Sequence, residues 1–515
     1  MKNLILCTLL CIVLFGSSCT HKLYQSAGIN YQNYPKREFR GVWMHTVGNG
    51  VFRNQTPDEM RQYLRQQLDV YQQSGINAII FQVRPQADAF YKSDLEPWSK
   101  YLTGKQGVAP SPEWDPLEFM VTECHKRNME LHAWLNPYRV ATTRNETFSK
   151  DHIYYKHPEY FIKYGTQVFF QPGEPWSRSF ICEVVRDIVK RYDVDAIHMD
   201  DYFYPYPVVG EAFPDKECFQ KYGPEQGFSK DRLEDWRRNN VNLLIEQLSY
   251  AIKSVKPWVK FGISPFGIYR NKSNTPDGSG SETNGLTNYH DLYADVLLWV
   301  QKGWIDYNIP QVYWEVGHSK ADYTTLVKWW AKNNENKTLY IGQDISRTTK
   351  VDDPVYEGMN QLTRKMNEVR KNDRISGNCF WSGEMMQNNM GGILDSLSNH
   401  YHRFPAFVPV IKELDNKAPS TVKKLTAIWA KEGYILQWKA DNQKNEMNRQ
   451  SNYCIYRFKE EEDIDLDNPS KIVSVTTESK YALPFKDGKK MYKYVVTAFD
   501  RLHNESKGVL IKIKL

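Results

Sequence analysis

The chain offers few means of cross-linking itself or holding a metal. Its eight cysteines are widely spaced and no C-x-x-C occurs among them, which excludes both a disulfide framework and a cysteine zinc site. The surplus of Lys and Arg over Asp and Glu is only six in 515 residues, with no long basic run, so nucleic acid is not expected as a partner. With 41% apolar and 25% charged residues, the composition is that of a globular protein and excludes wholesale disorder or a multi-span membrane protein. Familiar catalytic motifs are missing too. No Gly-rich phosphate loop follows the first strand-like run, and no H-E-x-x-H occurs. Ser264 lies in Gly262-Ile263-Ser264-Pro265, which is no nucleophile elbow. No metal and no cofactor are therefore expected. What the chain has in excess is aromatic residues, 14% of the total, which suit either a large core or clefts that stack on sugar rings.

The first 19 residues read as an address. Lys2 precedes an apolar run of residues 4–15, too short to span a bilayer comfortably. Gly16-Ser17-Ser18-Cys19 resembles a bacterial lipobox, whose Cys19 would be acylated and would tether the protein to a membrane. The predicted location is the cell envelope, at the outer membrane, facing periplasm or surface. Residues 20–36 are polar and read as a tether.

Eight short apolar runs, each followed by a helix-like stretch, fill residues 37–405. The predicted strands are 39–46, 78–84, 130–136, 194–200, 260–264, 307–313, 338–344 and 377–381. Thr56-Pro57-Asp58-Glu59 and Asp115-Pro116-Leu117-Glu118 carry the N-cap, first-turn Pro and acidic residue of helix starts. Further helices are predicted near 178–192, 230–255, 290–302, 321–334, 354–371 and 392–401. Eight such units predict an α/β fold, a (β/α)8 TIM barrel; a doubly wound open sheet is the alternative.

Period-two parity sorts the strand residues, because the face toward the helices must be apolar. It sends Val42, Ile79, Leu131 and Ile197 outward. Inward go Trp43, His45, Gln82, Arg84, His132, Trp134, Asn136, His198, Asp200, Ser264, Gln311, Tyr313, Glu315, Tyr340 and Asp344, with Trp381 near the end of strand eight. The polar members gather toward the C-terminal strand ends, where barrels of this class place their sites.

The densest cluster is His198-Met199-Asp200-Asp201-Tyr202-Phe203-Tyr204-Pro205. Glycoside cleavage requires one carboxylate beneath an oxocarbenium-like transition state and one proton donor. Parity nominates Asp200 for the first role and Glu315, beside Trp314, for the second. Asp201 ranks behind because parity points it outward, and Asp344 is a third inward carboxylate. A metal centre built from His45, His132, His198 and Asp200, as in a deacetylase, would need paired spacing that is absent.

These motifs, with Phe39-Arg40-Gly41-Val42-Trp43, Phe81-Gln82-Val83-Arg84-Pro85, His132-Ala133-Trp134-Leu135-Asn136-Pro137-Tyr138 and Gly262-Ile263-Ser264-Pro265-Phe266-Gly267, resemble the glycosyl-hydrolase-like family 10 of bacterial lipoproteins. The resemblance implies a barrel acting on glycan polymers, some relatives cleaving peptidoglycan strands stripped of stem peptides. It carries over His45, Arg84, Asn136, Tyr138, Asp200, Asp201, Tyr202 and Glu315. Together with parity, the expected sugar contacts are His45, Arg84, His132, Asn136, Tyr138, His198, Tyr202, Tyr204, Gln311, Tyr313, Trp314 and Trp381. A dietary or host polysaccharide, or a non-catalytic glycan-binding lipoprotein, are the alternatives.

After a linker at 406–417, residues 418–515 alternate in short runs at 425–429, 434–438, 453–458, 472–475 and 492–499. They predict a small all-β sandwich that resembles a fibronectin type III module, with a spacer or glycan-adjacent role.

Overall fold

The computed structural model describes residues 23–24 and 33–515, apart from 336, 431–432, 442 and 485–487. The predicted signal segment, Cys19 and most of the tether lie outside the described residues. Among the described residues no helix is long and apolar enough to cross a membrane.

Parallel strands Phe39–Met44, Ala78–Arg84, Glu130–Leu135, Ala196–Met199, Lys260–Ile263 and Tyr307–Asn308 follow one another around the barrel. The seventh strand is split. Its first piece, Thr338–Leu339, pairs with strand six, and its second, Ile341–Asp344, pairs with strand eight, Gly377–Trp381. Strand eight pairs back to Phe39–Val42, so the ring closes. The predicted strand at 307–313 stops after Asn308 as a continuous ladder because Pro310 brings no N–H to it; beyond it Gln311 makes isolated bridges to Phe266 and Gly342.

Parity assigned the two faces correctly. Val42, Ile79, Phe81, Leu131, Ala133, Ile197 and Met199 lie in the core between sheet and helices. Phe39, Trp43, Ile80, Trp134, Tyr307 and Tyr340 form a separate cluster inside the ring. There Phe39 stacks on Tyr340 at 4.0 Å, so the barrel is a filled bowl and not a pore. Gly262 faces this interior: a Cβ there would lie 1.9 Å from the Tyr307 ring, so only glycine fits. Outside, Pro57–Gln73 begins with the capping box expected of Thr56 and Glu59. Pro116–Lys126 is capped by Asp115. The helix predicted at 354–371 starts only at Leu362, after Gly358 has turned the chain at φ 72°. Cys124, Cys182, Cys218, Cys379 and Cys454 are buried free thiols.

The C-terminal residues form two antiparallel sheets. One holds Lys423–Ala430, Gly433–Lys439 and Lys480–Ala482. The other runs Gly508–Lys514, Met491–Phe499, Asn452–Lys459, Ile472–Thr476, and at its free edge Leu23–Tyr24 pairs with Val509 and Gly508. Trp438, Tyr453, Ile455 and Val496 fill the space between the sheets.

The segment predicted as a linker is packed: Val408 and Ile411 join the cluster inside the barrel ring, and Phe407 stacks on Phe499 at 4.2 Å. His503 Nε2 meets Glu130 at 2.8 Å, Arg501 meets Asp193 at 3.0 Å, and Asn128 donates to the Val475 carbonyl at 3.2 Å. Glu130 starts strand three and Asp193 precedes strand four. The sandwich therefore covers the N-terminal end of the barrel, opposite the strand ends that carry the predicted site, and a platform beside the substrate is not what it provides.

Candidate active site

At the C-terminal strand ends lies a cleft of about 340 Å³ lined by Trp43, His45, Val47, Gln82, Trp134, Arg139, Asp200, Asp201, Tyr202, Ser264, Gln311, Tyr313 and Trp381. Strand four ends at Met199, and Asp200 continues its inward set. Its Oδ2 accepts from Trp134 Nε1–H at 3.0 Å and its Oδ1 from Asn136 Nδ2–H at 3.0 Å. Asp201 follows once the strand has ended, so alternation no longer applies, and it lines the cleft beside its neighbour, contrary to parity. Its Oδ1 accepts from Gln311 Nε2–H at 3.0 Å, and its Oδ2 from the Tyr206 hydroxyl.

Both carboxyls are nearly sealed from solvent, Asp200 at 4% and Asp201 at 2% exposure. Burial raises the pKa of each. For Asp200 the charge of Arg139 and the Trp134 and Asn136 hydrogen bonds oppose the rise. For Asp201 burial is joined by the negative charge of Asp200, and its carboxyl is pushed up to about 6. Of the two, Asp201 is the one where like charge adds to burial, whereas at Asp200 a cation opposes it. His45, whose ring lies 5.1 Å from that of Trp381, is kept neutral by burial, with Glu384 opposing.

The other predicted residues divide. Tyr202, Gln311, Tyr313 and Trp381 line the cleft with His45. Asn136 stands behind Asp200; its Oδ1 accepts the Arg139 backbone N–H at 2.8 Å. His132 and His198 belong to the barrel interior, where both contact the Tyr307 hydroxyl, at 2.8 and 3.1 Å. His132 also meets Glu130 at 2.8 Å, and His198 meets Ser264 Oγ at 2.9 Å. Arg84 is wholly buried, gripping Glu96 with two bonds of 2.6 and 2.7 Å and the Asn136 carbonyl at 2.5 Å. It fixes the loops that follow strands two and three instead of touching a sugar. Tyr138 and Tyr204 are likewise buried in the outer core.

Glu315 and Asp344 lie outside the lining. At Glu315 the chain folds back, its carbonyl accepting from His318 and Tyr323 N–H groups at 3.3 Å. Asp344 caps the short helix Ile345–Thr349 through the Arg347 N–H at 2.7 Å. Both carboxylates face the buried Lys365, whose ammonium burial pulls down to about 7 while Asp344 and Glu315 oppose. Trp314 packs edge-on against Phe266. The expected Asp200–Glu315 pair is thus replaced by an adjacent Asp200–Asp201 pair.

Three residues of the site were not anticipated: Val47 and Arg139, which line the cleft, and Tyr206, which donates to Asp201. Arg139 follows Asn136-Pro137-Tyr138 directly, and a lone cation just past a strand end was the available signal. Tyr206 lies two residues past Tyr204, on the side of the loop that faces Asp201. Among the described residues no group of three or more His, Cys, Asp or Glu is arranged to hold a metal.

The model of the family described as glycosyl hydrolase-like 10 matches residues 38–358. The glycosyl hydrolase YngK of Bacillus subtilis (strain 168) is 41% identical over 479 residues, covering 92% of each chain. The glycosyl hydrolase DigH of Escherichia coli (strain K12) is 39% identical over 325 residues, 59% of this chain and 72% of that protein. Among solved structures, the catalytic domain of a β-amylase from Paenibacillus polymyxa covers 72% of this chain and 99% of its own at TM-score 0.48 and 11% identity. The matched span takes in the strand-four carboxyl pair and most of the cleft around it, and the chain belongs to the glycosyl hydrolase-like 10 family.

Proposed function

We propose that the protein hydrolyses glycosidic bonds in peptidoglycan strands that have lost their stem peptides, with Asp201 as proton donor and Asp200 as the anionic partner. The observation that carries this reading is the adjacent carboxyl pair on one aromatic-walled cleft, its members set apart in protonation by their surroundings. Two carboxyls tuned differently by environment are what acid–base cleavage requires. Asp201 gives its proton to the glycosidic oxygen as the C–O bond breaks. Asp200, whose ionised form Arg139, Trp134 and Asn136 favour against the effect of burial, faces the positive charge that develops on the sugar ring. Water then supplies hydroxyl to the sugar and a proton back to the pair. Trp43, Trp134 and Trp381 give the ring apolar faces to lie on. The curated relatives YngK and DigH carry the name glycosyl hydrolase, which supports the reaction class.

A lipid on Cys19 would hold the enzyme in the bacterial envelope, and the sandwich, fibronectin type III-like in setting three of its own strands against four others, with Leu23–Tyr24 added at the edge, would act as the spacer. The test is digestion of intact and amidase-stripped peptidoglycan, with products analysed by mass spectrometry. Release of short glycan fragments from the stripped polymer alone is expected, and Asp200→Asn should abolish release while binding persists. Binding of stripped strands by the native protein without any release would make it a non-catalytic glycan binder. Release only from dietary or host polysaccharides would move the substrate away from the cell wall.

A further inference from the structure

We infer that Arg139 is a specificity-determining residue that pairs with a carboxylate carried by the substrate sugar. Three of the five buried arginines among the described residues grip an acid of their own: Arg84 holds Glu96, Arg40 holds Glu38, and Arg238 holds Asp235. Arg139 is equally sequestered, at 7% exposure, yet among the described residues no carboxylate comes within ion-pair distance of it. Its Nε–H and Nη2–H donate to the Pro85 carbonyl at 3.2 and 3.0 Å, and its guanidinium lies over the Tyr202 ring at 5.4 Å. These contacts fix the plane and leave Nη1 without a hydrogen-bond partner among the described residues. A buried, unpaired cation is costly, and this one lines the cleft.

The rest of the lining narrows the ligand. Arg139 is the only Lys or Arg in it, and burial keeps His45 neutral. With Asp200 and Asp201 in the same lining, a singly charged anion meets less repulsion than a phosphate dianion would. The planar guanidinium fork suits a carboxylate. Sugar carboxylates include those of uronic acids and the lactyl ether of muramic acid. The second follows from the proposed function, on which this assignment rests: while a stem peptide is attached, that carboxyl is an uncharged amide, and removing the peptide exposes the charge. Arg139 would thus give the protein a physical means of recognising a stripped strand.

The test is binding by calorimetry in the full chain, in an Asp201→Asn background so that nothing is cut. The probes are amidase-stripped glycan oligomers, the same oligomers with their carboxyl groups reduced to primary alcohols, and oligouronates. With Arg139 present, the native oligomers should bind at least about tenfold more tightly than the reduced ones, the change expected for one charge-assisted pair. That ratio should fall toward one in Arg139→Gln and recover in part in Arg139→Lys. Equal affinity of the Arg139 protein for native and reduced oligomers overturns the inference, and that comparison needs no further variant to fold. A ratio that survives in Arg139→Gln overturns it too. Oligouronates binding as tightly as stripped strands would support the carboxylate contact and assign it to acidic sugars in general. Failure of the Asp200–Asp201 reading would appear separately, as absence of cleavage with this binding ratio intact.

Discussion

In its proposed role Asp201 acts as an acid only while it keeps its proton. Its carboxyl sits at about 6, so turnover should fall as pH rises through that value, read as the alkaline limb of a kcat profile. Asp201→Asn should lower kcat by about a hundredfold or more. The Tyr206 hydroxyl donates to the ionised carboxylate and pulls its pKa down. Tyr206→Phe should therefore move the alkaline limb to higher pH, and a limb that stays put would detach Asp201 from the donor role. Strand parity located Asp200, His45, Gln311 and Tyr313 because they continue the inward set of their strands. It misjudged Asp201 and Glu315 because alternation is a property of extended backbone and the chain turns at both, the Asp201 carbonyl accepting from the Phe203 N–H and the Glu315 carbonyl from the His318 N–H. Arg139 was missed because its importance is the absence of a partner, which no local pattern records.

Elements were more legible than sites. The helix Pro57–Gln73 is announced by Thr56 and Glu59, whose reciprocal bonds satisfy backbone donors at the helix start. Thr56→Ala should cost about 1 kcal/mol in chemical denaturation and leave kcat unchanged. The fit inside the ring was not legible. Nothing local to Gly262 shows that the Tyr307 ring lies against it across neighbouring strands. Gly262→Ala forces that ring aside, and with it the hydroxyl that joins His132 to His198. A loss of about 3 kcal/mol or more is expected, seen as a lower denaturation midpoint.

For the whole molecule, the sandwich and the barrel share charges. Burial works against the Glu130 carboxylate, but Lys260, His132 and His503 outweigh it and hold its pKa far below the usual range. Stabilisation from such a depressed carboxyl is present above its unfolded pKa and lost as pH falls. His503→Ala, at the far end of the barrel from the cleft, should lower the melting temperature at pH 7 and leave kcat intact. A related pair limits the alkaline side. Burial disfavours charge on His125, yet the charge of Asp195 and their 2.9 Å hydrogen bond raise it to about 9. That contribution is complete below the unfolded histidine pKa and disappears as pH rises through 9, so His125→Gln should flatten the fall in melting temperature between pH 7 and 10. Two domains could be counted from the sequence, since their strand rhythms differ. Their docking could not, because His503 and Glu130 lie far apart in the chain.

The edge strand Leu23–Tyr24 bears on how the protein would be moored under the proposed lipid anchor. Only three residues separate Leu23 from Cys19, a leash of about 14 Å at full extension. Because that leash leaves from the sandwich edge, an acyl chain on Cys19 would berth the sandwich against the bilayer. The mouth lies at the barrel's opposite pole, so about the height of the barrel would separate it from the point of mooring.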